Sequence, residues 1–298
     1  MSLKISVVTP SLNSVDYIES AIQNVLDQKY DNFEHVVVDG GSTDGTIEVL
    51  KRYSHLKWIS EPDRGQTNAM NKGFGMTDGD VIVYLNADDY FLPGAFHAVV
   101  PKFLEGARFV VGKIRIEKEI GDSFLNDPRI GHLDMLHHWE LNAYPYNAAG
   151  YFYRREVYEA VGGFNEKNYM QDLEFLLAAS ARFEFTKVET VLGVYRDFEQ
   201  TITQRTQRRR NYWTDKNFSF IAPFISRLPE DVRNHYIQDR KRGYREQRKV
   251  QKWKEYERVR LQIARTPSPP FWKRLLNRFR LIRTFPDKKK WLMQNLRK

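Results

Sequence analysis

The first hundred residues alternate short apolar segments with segments of helical periodicity, and this alternation constrains the fold more than any other feature. Four short segments predict strands, the first of them apolar and β-branched, and helical spacing follows most of them. The predicted strands are Ile5–Thr9, Phe33–Asp39, Leu56–Ser60 and Asp80–Leu85. Strands that alternate with helices form parallel sheets through right-handed crossovers. The sequence therefore predicts an α/β fold with a Rossmann-like, mostly parallel central sheet flanked by helices.

After Pro93 the alternation loosens. Residues 122–143 show no regular period and are predicted to be irregular. They contain three histidines, whose spacing matches no metal-ligand pattern and favours a surface or aromatic-cluster role. These are His132, His137 and His138. Later elements are predicted as strands at Phe109–Ile116, Tyr151–Arg155, Phe185–Val188 and Val191–Tyr195, and as helices at Glu156–Val161 and Gln171–Ala181.

Charge divides the chain into two segments. Residues 1–203 contain 19 Lys and Arg against 30 Asp and Glu, whereas residues 204–298 contain 28 against 8. Such asymmetry indicates an acidic body and a basic appendage that meets an anionic surface. We predict an acidic domain at 1–203, with one half at 1–100 and the other at 101–203, followed by a basic helical extension at 204–298.

Composition excludes several classes of protein. The chain has no cysteine, which excludes disulfides and thiolate metal sites and is typical of a cytoplasmic protein. It contains no apolar run of 18 residues, so no membrane-spanning helix is predicted. The apolar segment at the amino terminus is too short for a signal peptide and reads as the first strand.

Polar residues follow the first two predicted strands. Thr9, Pro10 and Asn13 end the first, and Asp39 ends the second before a glycine-rich turn. The carboxyl ends of neighbouring strands form the ligand-binding edge of an open α/β sheet, and small acceptor groups there suit a nucleobase or ribose. The alternative is ordinary turn chemistry, in which Ser42 or Thr43 caps the next helix.

Two more motifs lie at helix starts or strand ends. Arg64 and Gly65 precede a predicted helix, and a helix amino terminus beside an arginine suits a diphosphate. A capped surface helix is the alternative. Asp88 and Asp89 follow an apolar strand, where two adjacent carboxylates favour a divalent cation over a solvated, helix-capping turn.

Asp172 opens an apolar helix far downstream of these motifs. A carboxylate at a helix amino terminus tends to stay ionised and can accept a proton from a hydroxyl nucleophile. An acidic residue at this position is common in helices, however, and spacing alone favours that simpler interpretation.

In combination, these segments resemble the glycosyltransferase family 2 enzymes with the GT-A fold. Five blocks carry the resemblance in order: Ile5–Asn13, Val38–Thr46, Glu61–Gly65 with Ala69–Gly73, Leu85–Asp89, and Gly162–Phe164 with Gln171–Asp172. The resemblance implies an inverting transferase that moves a sugar from a nucleotide sugar, UDP-linked above all, to a saccharide or lipid-linked saccharide acceptor, with Mn²⁺ or Mg²⁺ as cofactor.

The resemblance implies that 1–203 is a GT-A catalytic domain, with the nucleotide-sugar binding half at 1–100 and the acceptor half at 101–203. It also assigns roles to residues. Asp39 matches the nucleobase-binding aspartate, Asn86–Asp88 stands at the metal motif, and Asp172 matches the general base. The predicted donor-binding residues are Thr9, Pro10, Asn13, Asp39, Asp44, Arg64, Gly65, Asn86 and Asp88. The predicted metal ligands are Asp88, the better candidate, and Asp89, which supports the metal or touches the donor sugar. The predicted acceptor residues are Gly150, Tyr151 and Glu174.

The chain departs from the family pattern at three places. Asn86 replaces the first acid of a strict Asp-X-Asp motif. Phe198 stands where many relatives carry a histidine near the metal, which leaves Asp197 or water to complete the site. Ala178 replaces an arginine that is usual in the helix after the general base. The Gln-X-X-Arg-Trp signature of processive synthases is missing, which argues against a polymer synthase.

The basic extension bears on the acceptor. Residues 271–285 place aromatic and aliphatic side chains on one helical arc and basic ones opposite, a pattern typical of helices that lie in membrane interfaces. This predicts peripheral contact with an anionic membrane, on the cytoplasmic side, in cell-envelope or exopolysaccharide assembly. A helix packed back on the domain is the alternative.

Two rival functions are nucleic-acid binding through the basic segment and nucleotidyl transfer. The acidic body argues against the first, and the lack of a glycine-rich triphosphate motif argues against the second.

Overall fold

The computed structural model describes residues 2–119, 122–138, 144–168, 170–198, 221–234 and 238. The chain forms two compact units, Met1–Leu228 and Pro229–Lys298, and nearly all described residues belong to the first. The predicted domain boundary near residue 203 lies outside the described residues and stays a prediction. The same holds for the predicted helix at 271–285. The sequence also predicts a long helix at 231–265, and most of it likewise lies outside the described residues.

The described residues form one sheet of nine strands. The strands are β1 Ile5–Ser11, β2 Phe33–Asp39, β3 Leu56–Ser60, β4 Val81–Tyr84, β5 Tyr90–Phe91, β6 Phe109–Lys118, β7 Phe124–Asn126, β8 Tyr151–Arg154 and β9 Phe185–Asp197. Their order across the sheet is β3-β2-β1-β4-β8-β6-β9-β5, with β7 paired to β6. The α/β prediction is confirmed.

The two halves of the sheet differ in strand direction. Strands β1 to β4 pair in parallel, as predicted, and their register sets Ser11 beside Asp39 and Asp39 beside Ser60. The second half is mixed, since β8 runs antiparallel to both β4 and β6, whereas β6 and β9 are parallel. Because β8 is antiparallel, its first residues lie at the same edge as the carboxyl end of β4. This brings the region of Tyr151 to the ligand edge.

Helices cover both faces of the sheet. They are α1 Ile18–Leu26, α2 Thr46–Leu50, α3 Gln66–Met76, α4 Ala95–Leu104, α5 His132–His138, α6 Arg155–Val161, α7 Gln171–Ser180 and α8 Ala222–Ser226, with a 3₁₀ turn at Ala148–Gly150. Helical spacing over Ser14–Gln28 predicts an apolar face formed by Ile18, Ala21, Ile22, Val25 and Leu26. Helix α1 buries the first four of these, whereas Leu26 is only partly buried. Helix α3 packs so closely on β1 that a Cβ on Gly73 would clash with the Val8 side chain.

Three local predictions were wrong. Residues 122–143 are not wholly irregular, because β7 and α5 lie within them. The two strands predicted between Phe185 and Tyr195 form one strand of 13 residues, whose register with β6 shifts near Lys113. The two-residue strand β5 was not predicted. These features depend on pairing between strands, of β7 with the neighbouring β6 and of β9 with β6 and β5, which the periodicity of a single segment does not record.

No helix among the described residues has the length and apolar character needed to cross a membrane.

Candidate active site

Backbone hydrogen bonds join the loops at the carboxyl edge of the parallel strands. Gly40 donates to the Ser11 carbonyl at 2.8 Å, and Leu85 donates to the Val8 carbonyl at 3.0 Å. Glu61 donates to the Asp39 carbonyl at 3.0 Å. The segments that follow β1, β2, β3 and β4 therefore line one edge, where open α/β sheets bind ligands.

Asp39 is fully buried and organises the turn after β2. Its Oδ2 accepts from the backbone of Gly41 at 3.0 Å and of Ser42 at 2.8 Å, and from the Ser60 hydroxyl at 2.7 Å. The Ser42 hydroxyl donates to Oδ1. Asp39 is therefore held rigidly at the edge where the sequence predicted a nucleobase.

Asn13 and Asp44, which were also predicted to bind the nucleotide sugar, connect the turns after β1 and β2 by hydrogen bonds. Asn13, in the left-handed region with φ 50°, donates its backbone N–H to Ser42 Oγ at 2.7 Å and accepts from the Thr43 N–H at 3.0 Å. The Asp44 carboxylate accepts from the Val15 and Thr46 N–H groups, both at 3.0 Å. Burial alone would raise the pKa of Asp44, but hydrogen bonds from Thr46 and Val15 lower it.

The strand that carries Thr9 and Pro10 is buried. Thr9 Oγ1 lies 2.9 Å from His35 Nε2 on β2, so its side chain serves the core between the strands. Burial lowers the pKa of His35 to about 3, which keeps that imidazole neutral. Pro10 pairs with Val38 in the register of β1 and β2. These residues shape the edge mainly through the backbone.

Arg64 and Gly65 stand at the amino terminus of α3. Gly65 is the residue before the helix and has φ 111°, a conformation that favours glycine. Arg64 donates through Nε and Nη2 to Glu166 Oε2 at 3.0 and 2.7 Å. Glu166 was not predicted from the sequence, and it lies 102 residues further along the chain.

The two adjacent aspartates after β4 have different surroundings. Asp89 is buried, and its Oδ2 accepts from Asn86 Nδ2 at 2.8 Å and Asn147 Nδ2 at 2.9 Å. Its Oδ1 accepts from the Arg196 N–H at 3.0 Å. Asp88 is half-buried, and no other described residue makes a hydrogen bond or ion pair with its carboxylate. Asp89 therefore ties β4 to β9, and Asp88 is the carboxylate available to a ligand.

Burial raises the pKa of both aspartates. It raises the pKa of Asp89 to about 7, with the Asp88 charge adding to the effect. Burial also raises the pKa of Asp88, and Arg196 partly offsets this. A divalent cation would stabilise the ionised forms. No group of three candidate metal ligands exists among the described residues, so a cation here would take its other oxygens from a diphosphate and water, as Mg²⁺ commonly does. The oxygen ligands available here fit such an ion.

Asp172 lies in the first turn of α7. The Tyr151 hydroxyl donates to Asp172 Oδ1 at 3.2 Å. Burial raises the pKa of Asp172 to about 6, although the Tyr151 hydrogen bond lowers it. Since β8 begins beside the carboxyl end of β4, this contact brings Asp172 to the edge that holds Asp88. A carboxylate with a pKa near 6 is well matched to a general base at neutral pH.

Replacing Tyr151 by phenylalanine is expected to shift the acidic limb of the pH profile upward. Its hydroxyl stabilises the ionised carboxylate, so its loss raises the pKa of Asp172 by about half to one unit. The kcat/KM profile should move by that amount, with little change at pH 8. Tyr153→Phe is the matched control, since it removes a hydroxyl from the same face of β8 without touching Asp172. Equal profiles for all three proteins would contradict the assignment.

The other predicted acceptor residues have structural contacts. Gly150 is buried against β6, and a Cβ there would approach Ile114 Cγ1 to 2.7 Å. Glu174 accepts from Asn165 Nδ2 at 3.1 Å and Asn168 Nδ2 at 2.7 Å, which orders the loop before α7. Their contact with an acceptor stays a prediction.

One departure from the family pattern, Phe198, lies directly after β9. Phe198 lines a cleft together with Tyr90 and Arg196, and the Arg196 guanidinium lies 5.0 Å from the centre of the Tyr90 ring. His132 Nδ1 lies 2.9 Å from the Ser180 hydroxyl of α7, as suits a packing role. The side chains of His137 and His138 lie outside the description.

Several site residues carried no sequence signal. Asn147 and Glu166 act across 58 and 102 residues, and Gln66 donates to Asn86 at 2.7 Å. Isolated amides in loops have no period, so only the fold identifies them.

The comparisons with known proteins identify the family. Residues 6–162 match the model of Glycosyl transferase family 2. The chain belongs to this family. A putative teichuronic acid biosynthesis glycosyltransferase, TuaG of Bacillus subtilis, is 37% identical over 91 residues, which are 28% of this chain and 36% of TuaG.

Solved structures agree with the GT-A fold. S. aureus TarS 1–349 in complex with UDP superposes with a TM-score of 0.60 at 17% identity, covering 78% of this chain and 69% of that one. Mannosyltransferase PcManGT of Pyrobaculum calidifontis, in complex with GDP-Man and Mn²⁺, gives a TM-score of 0.52 at 18% identity over 99% of this chain and 85% of that one. The predicted fold and family are confirmed. The matched segments cover about a third or less of the length of these curated relatives, 33% and 36% for two of them.

Proposed function

We propose that the protein is an inverting glycosyltransferase that transfers a sugar from a nucleoside diphosphate sugar to an acceptor hydroxyl. The observation that carries the proposal is the convergence of four groups on one sheet edge. Asp39 is fixed at the end of β2, Arg64 stands at the start of α3, Asp88 has a carboxylate with no other described partner, and Asp172 has a raised pKa. Membership of Glycosyl transferase family 2 supports the transferase class.

The donor is bound by the parallel half of the sheet. Asp39 accepts a hydrogen bond from the nucleobase imide or a ribose hydroxyl, while Asn13 and Asp44 keep the flanking turns in place. Arg64 and the backbone N–H groups at the start of α3 bind the diphosphate, since both supply positive charge. UDP is the preferred nucleotide, in keeping with the UDP complex of TarS, whereas the PcManGT complex holds GDP-Man.

Asp88 is the residue that would hold a divalent cation, with Asp89 fixing its position through the Asn86, Asn147 and Arg196 contacts. When bound, Mn²⁺ or Mg²⁺ neutralises charge that develops on the departing diphosphate. The presence of Mn²⁺ in the PcManGT complex supports this cofactor class. Asp197 stays a further candidate ligand at the position next to Phe198.

Asp172 acts as the general base. It takes the proton from the acceptor hydroxyl as the new bond forms between that oxygen and the anomeric carbon. The bond from the anomeric carbon to the phosphate oxygen breaks, and its electron pair leaves with the nucleoside diphosphate. One displacement from the opposite face inverts the configuration at that carbon. Tyr151 holds the carboxylate in place and limits how far burial raises its pKa.

The acceptor is a saccharide or lipid-linked saccharide of cell-envelope or exopolysaccharide assembly. The role named for TuaG supports this class. The basic segment 204–298 then brings the enzyme to the inner face of the plasma membrane, because Lys and Arg each contribute about 1 kcal/mol near an anionic surface.

The proposal is tested by nucleotide release from UDP-, GDP- and dTDP-sugars with Mn²⁺ or with EDTA. We expect slow hydrolysis of one donor that requires the cation. Calorimetry with the free nucleotides accompanies the panel, because a strict acceptor requirement would suppress hydrolysis. A protein that neither hydrolyses nor binds any of them would overturn the proposal, and salt-dependent retention on nucleic acid would then favour the nucleic-acid function.

A further inference from the structure

Glu166 receives four hydrogen bonds from the donor side of the molecule. It lies in the loop between α6 and α7, and its Oε2 accepts from Arg64 Nε at 3.0 Å and Nη2 at 2.7 Å. Its Oε1 accepts from Asn68 Nδ2 at 3.0 Å and Asn71 Nδ2 at 3.4 Å. Three side chains of the Arg64–Asn71 segment thus meet one carboxylate from the other half of the domain.

The loop that carries Glu166 is fixed at both ends. At its start, Asn71 Nδ2 donates to the Phe164 carbonyl at 2.9 Å and Asn71 Oδ1 accepts from the Phe164 N–H at 3.1 Å. At its end, Asn168 donates to Glu174 in the first turn of α7. Glu166 is therefore presented by an anchored loop.

The arginine that Glu166 holds is otherwise unrestrained. The Arg64 side chain is 74% exposed, and its Nη1 has no hydrogen-bond partner among the described residues. An exposed arginine that binds an anion must give up its rotamer freedom at that moment. Engagement of the Nε–Nη2 edge by a fixed carboxylate removes this freedom in advance and leaves the Nη1 side for another ligand.

The ion pair is present throughout the neutral range. Hydrogen bonds from Asn68 and then from Arg64 lower the pKa of Glu166 below its ordinary value. Since a glutamate is already ionised at neutral pH, Glu166 carries its charge there. An arginine does not lose its charge at any pH used in an assay.

We propose that Glu166 is a positioning residue that fixes the guanidinium of Arg64 at the start of α3, where the donor diphosphate binds. This inference rests on the proposed function and adds to it a residue that contacts neither donor nor acceptor. Pre-organisation by Glu166 lowers the ordering cost of diphosphate binding and holds Arg64 away from unproductive orientations.

The test is calorimetric titration of UDP and of GDP, with Mn²⁺, into the full chain and its variants. Glu166→Gln keeps the shape and one acceptor oxygen but removes the charge, and we expect the dissociation constant of the accepted nucleotide to rise about three- to tenfold. Arg64→Ala should weaken binding at least as much. In the Arg64→Ala background, adding Glu166→Gln should change nothing further, because the residue it positions has gone.

Glu156→Gln is the matched control. Glu156 forms another exposed pair with an arginine, Arg108, at 3.2 Å, on the surface of α6. It should leave nucleotide affinity unchanged. The melting temperatures of all variants are measured alongside.

Each other outcome overturns the inference. Unchanged affinity in Glu166→Gln with a lower melting temperature would make Glu166 purely structural, and tighter binding would make it a competitor of the diphosphate. Additive effects of the two substitutions would show that Glu166 does not act through Arg64. A wild-type protein that binds neither nucleotide would instead overturn the proposed function, and the inference with it.

Discussion

Replacing Asp172 by asparagine is expected to lower the turnover of sugar transfer by about 10²–10⁴-fold, the usual contribution of a general base. The amide preserves the shape of the side chain and can still accept from the Tyr151 hydroxyl, but it does not take a proton from the acceptor. Nucleotide binding should be unchanged, because Asp172 lies on the acceptor side of the edge. The measurement is single-turnover transfer together with calorimetric titration of the nucleotide.

The pH dependence of the wild type provides a second measurement of the same role. The pKa of Asp172 is raised to about 6, and the base must be ionised to accept a proton. Activity is therefore expected to rise with pH through about 6 and to level off above it. Glu159→Gln, an exposed substitution on α6, is the control for a general effect of charge. Retained transfer in Asp172→Asn, or a wild-type profile that is flat between pH 5 and 7, would remove Asp172 from the role of base.

Sequence patterns predicted the parallel half of the fold closely because its signals are local. The bounds of β2 and β3 match the prediction residue for residue, since each is an apolar run closed by polar or turn residues. The predicted bounds deviate where pairing decides the structure. β7 exists through its pairing with β6, and β5 has only two residues. Neither is long enough to create a periodic pattern.

The candidate site shows the same division. Asp39, Asp88 and Asp172 stand out in the sequence because each adjoins a strand end or a helix start. The family resemblance ranks Asp88 above Asp89 as a metal ligand, but no local pattern shows that Asp89 is held by Asn147 and Arg196, which come from distant segments. Glu166 likewise acquires its partners only when the chain is folded. Long-range contacts of single polar residues leave no pattern that one sequence can reveal.

Replacing Asp88 by alanine is expected to abolish the gain in UDP affinity that a divalent cation provides and to lower turnover by about 10²–10³-fold, as for loss of one group that stabilises charge on a leaving atom. Asp88 is the carboxylate at this edge with no other described partner, so its removal deletes an anionic ligand without breaking a hydrogen bond to a neighbour. The measurement is UDP affinity in Mn²⁺ and in EDTA for both proteins.

The effect of Asp88→Ala on UDP affinity should differ between Mn²⁺ and EDTA. In Mn²⁺ the wild type should bind UDP more tightly than Asp88→Ala by about tenfold or more, because a cation held by Asp88 would offset the negative charge of the diphosphate. In EDTA the variant should bind at least as well as the wild type, because an unshielded carboxylate repels the diphosphate. Asp31→Asn, at the opposite edge of the sheet, should behave as wild type.

Asp89→Asn, by contrast, disturbs the bonds from Asn86, Asn147 and Arg196, and should lower the melting temperature as well as the affinity. An Asp88→Ala variant that keeps its response to Mn²⁺ would place the cation site elsewhere. It would also contradict the proposed division of roles, in which Asp88 binds the ligand and the buried Asp89 stabilises the fold.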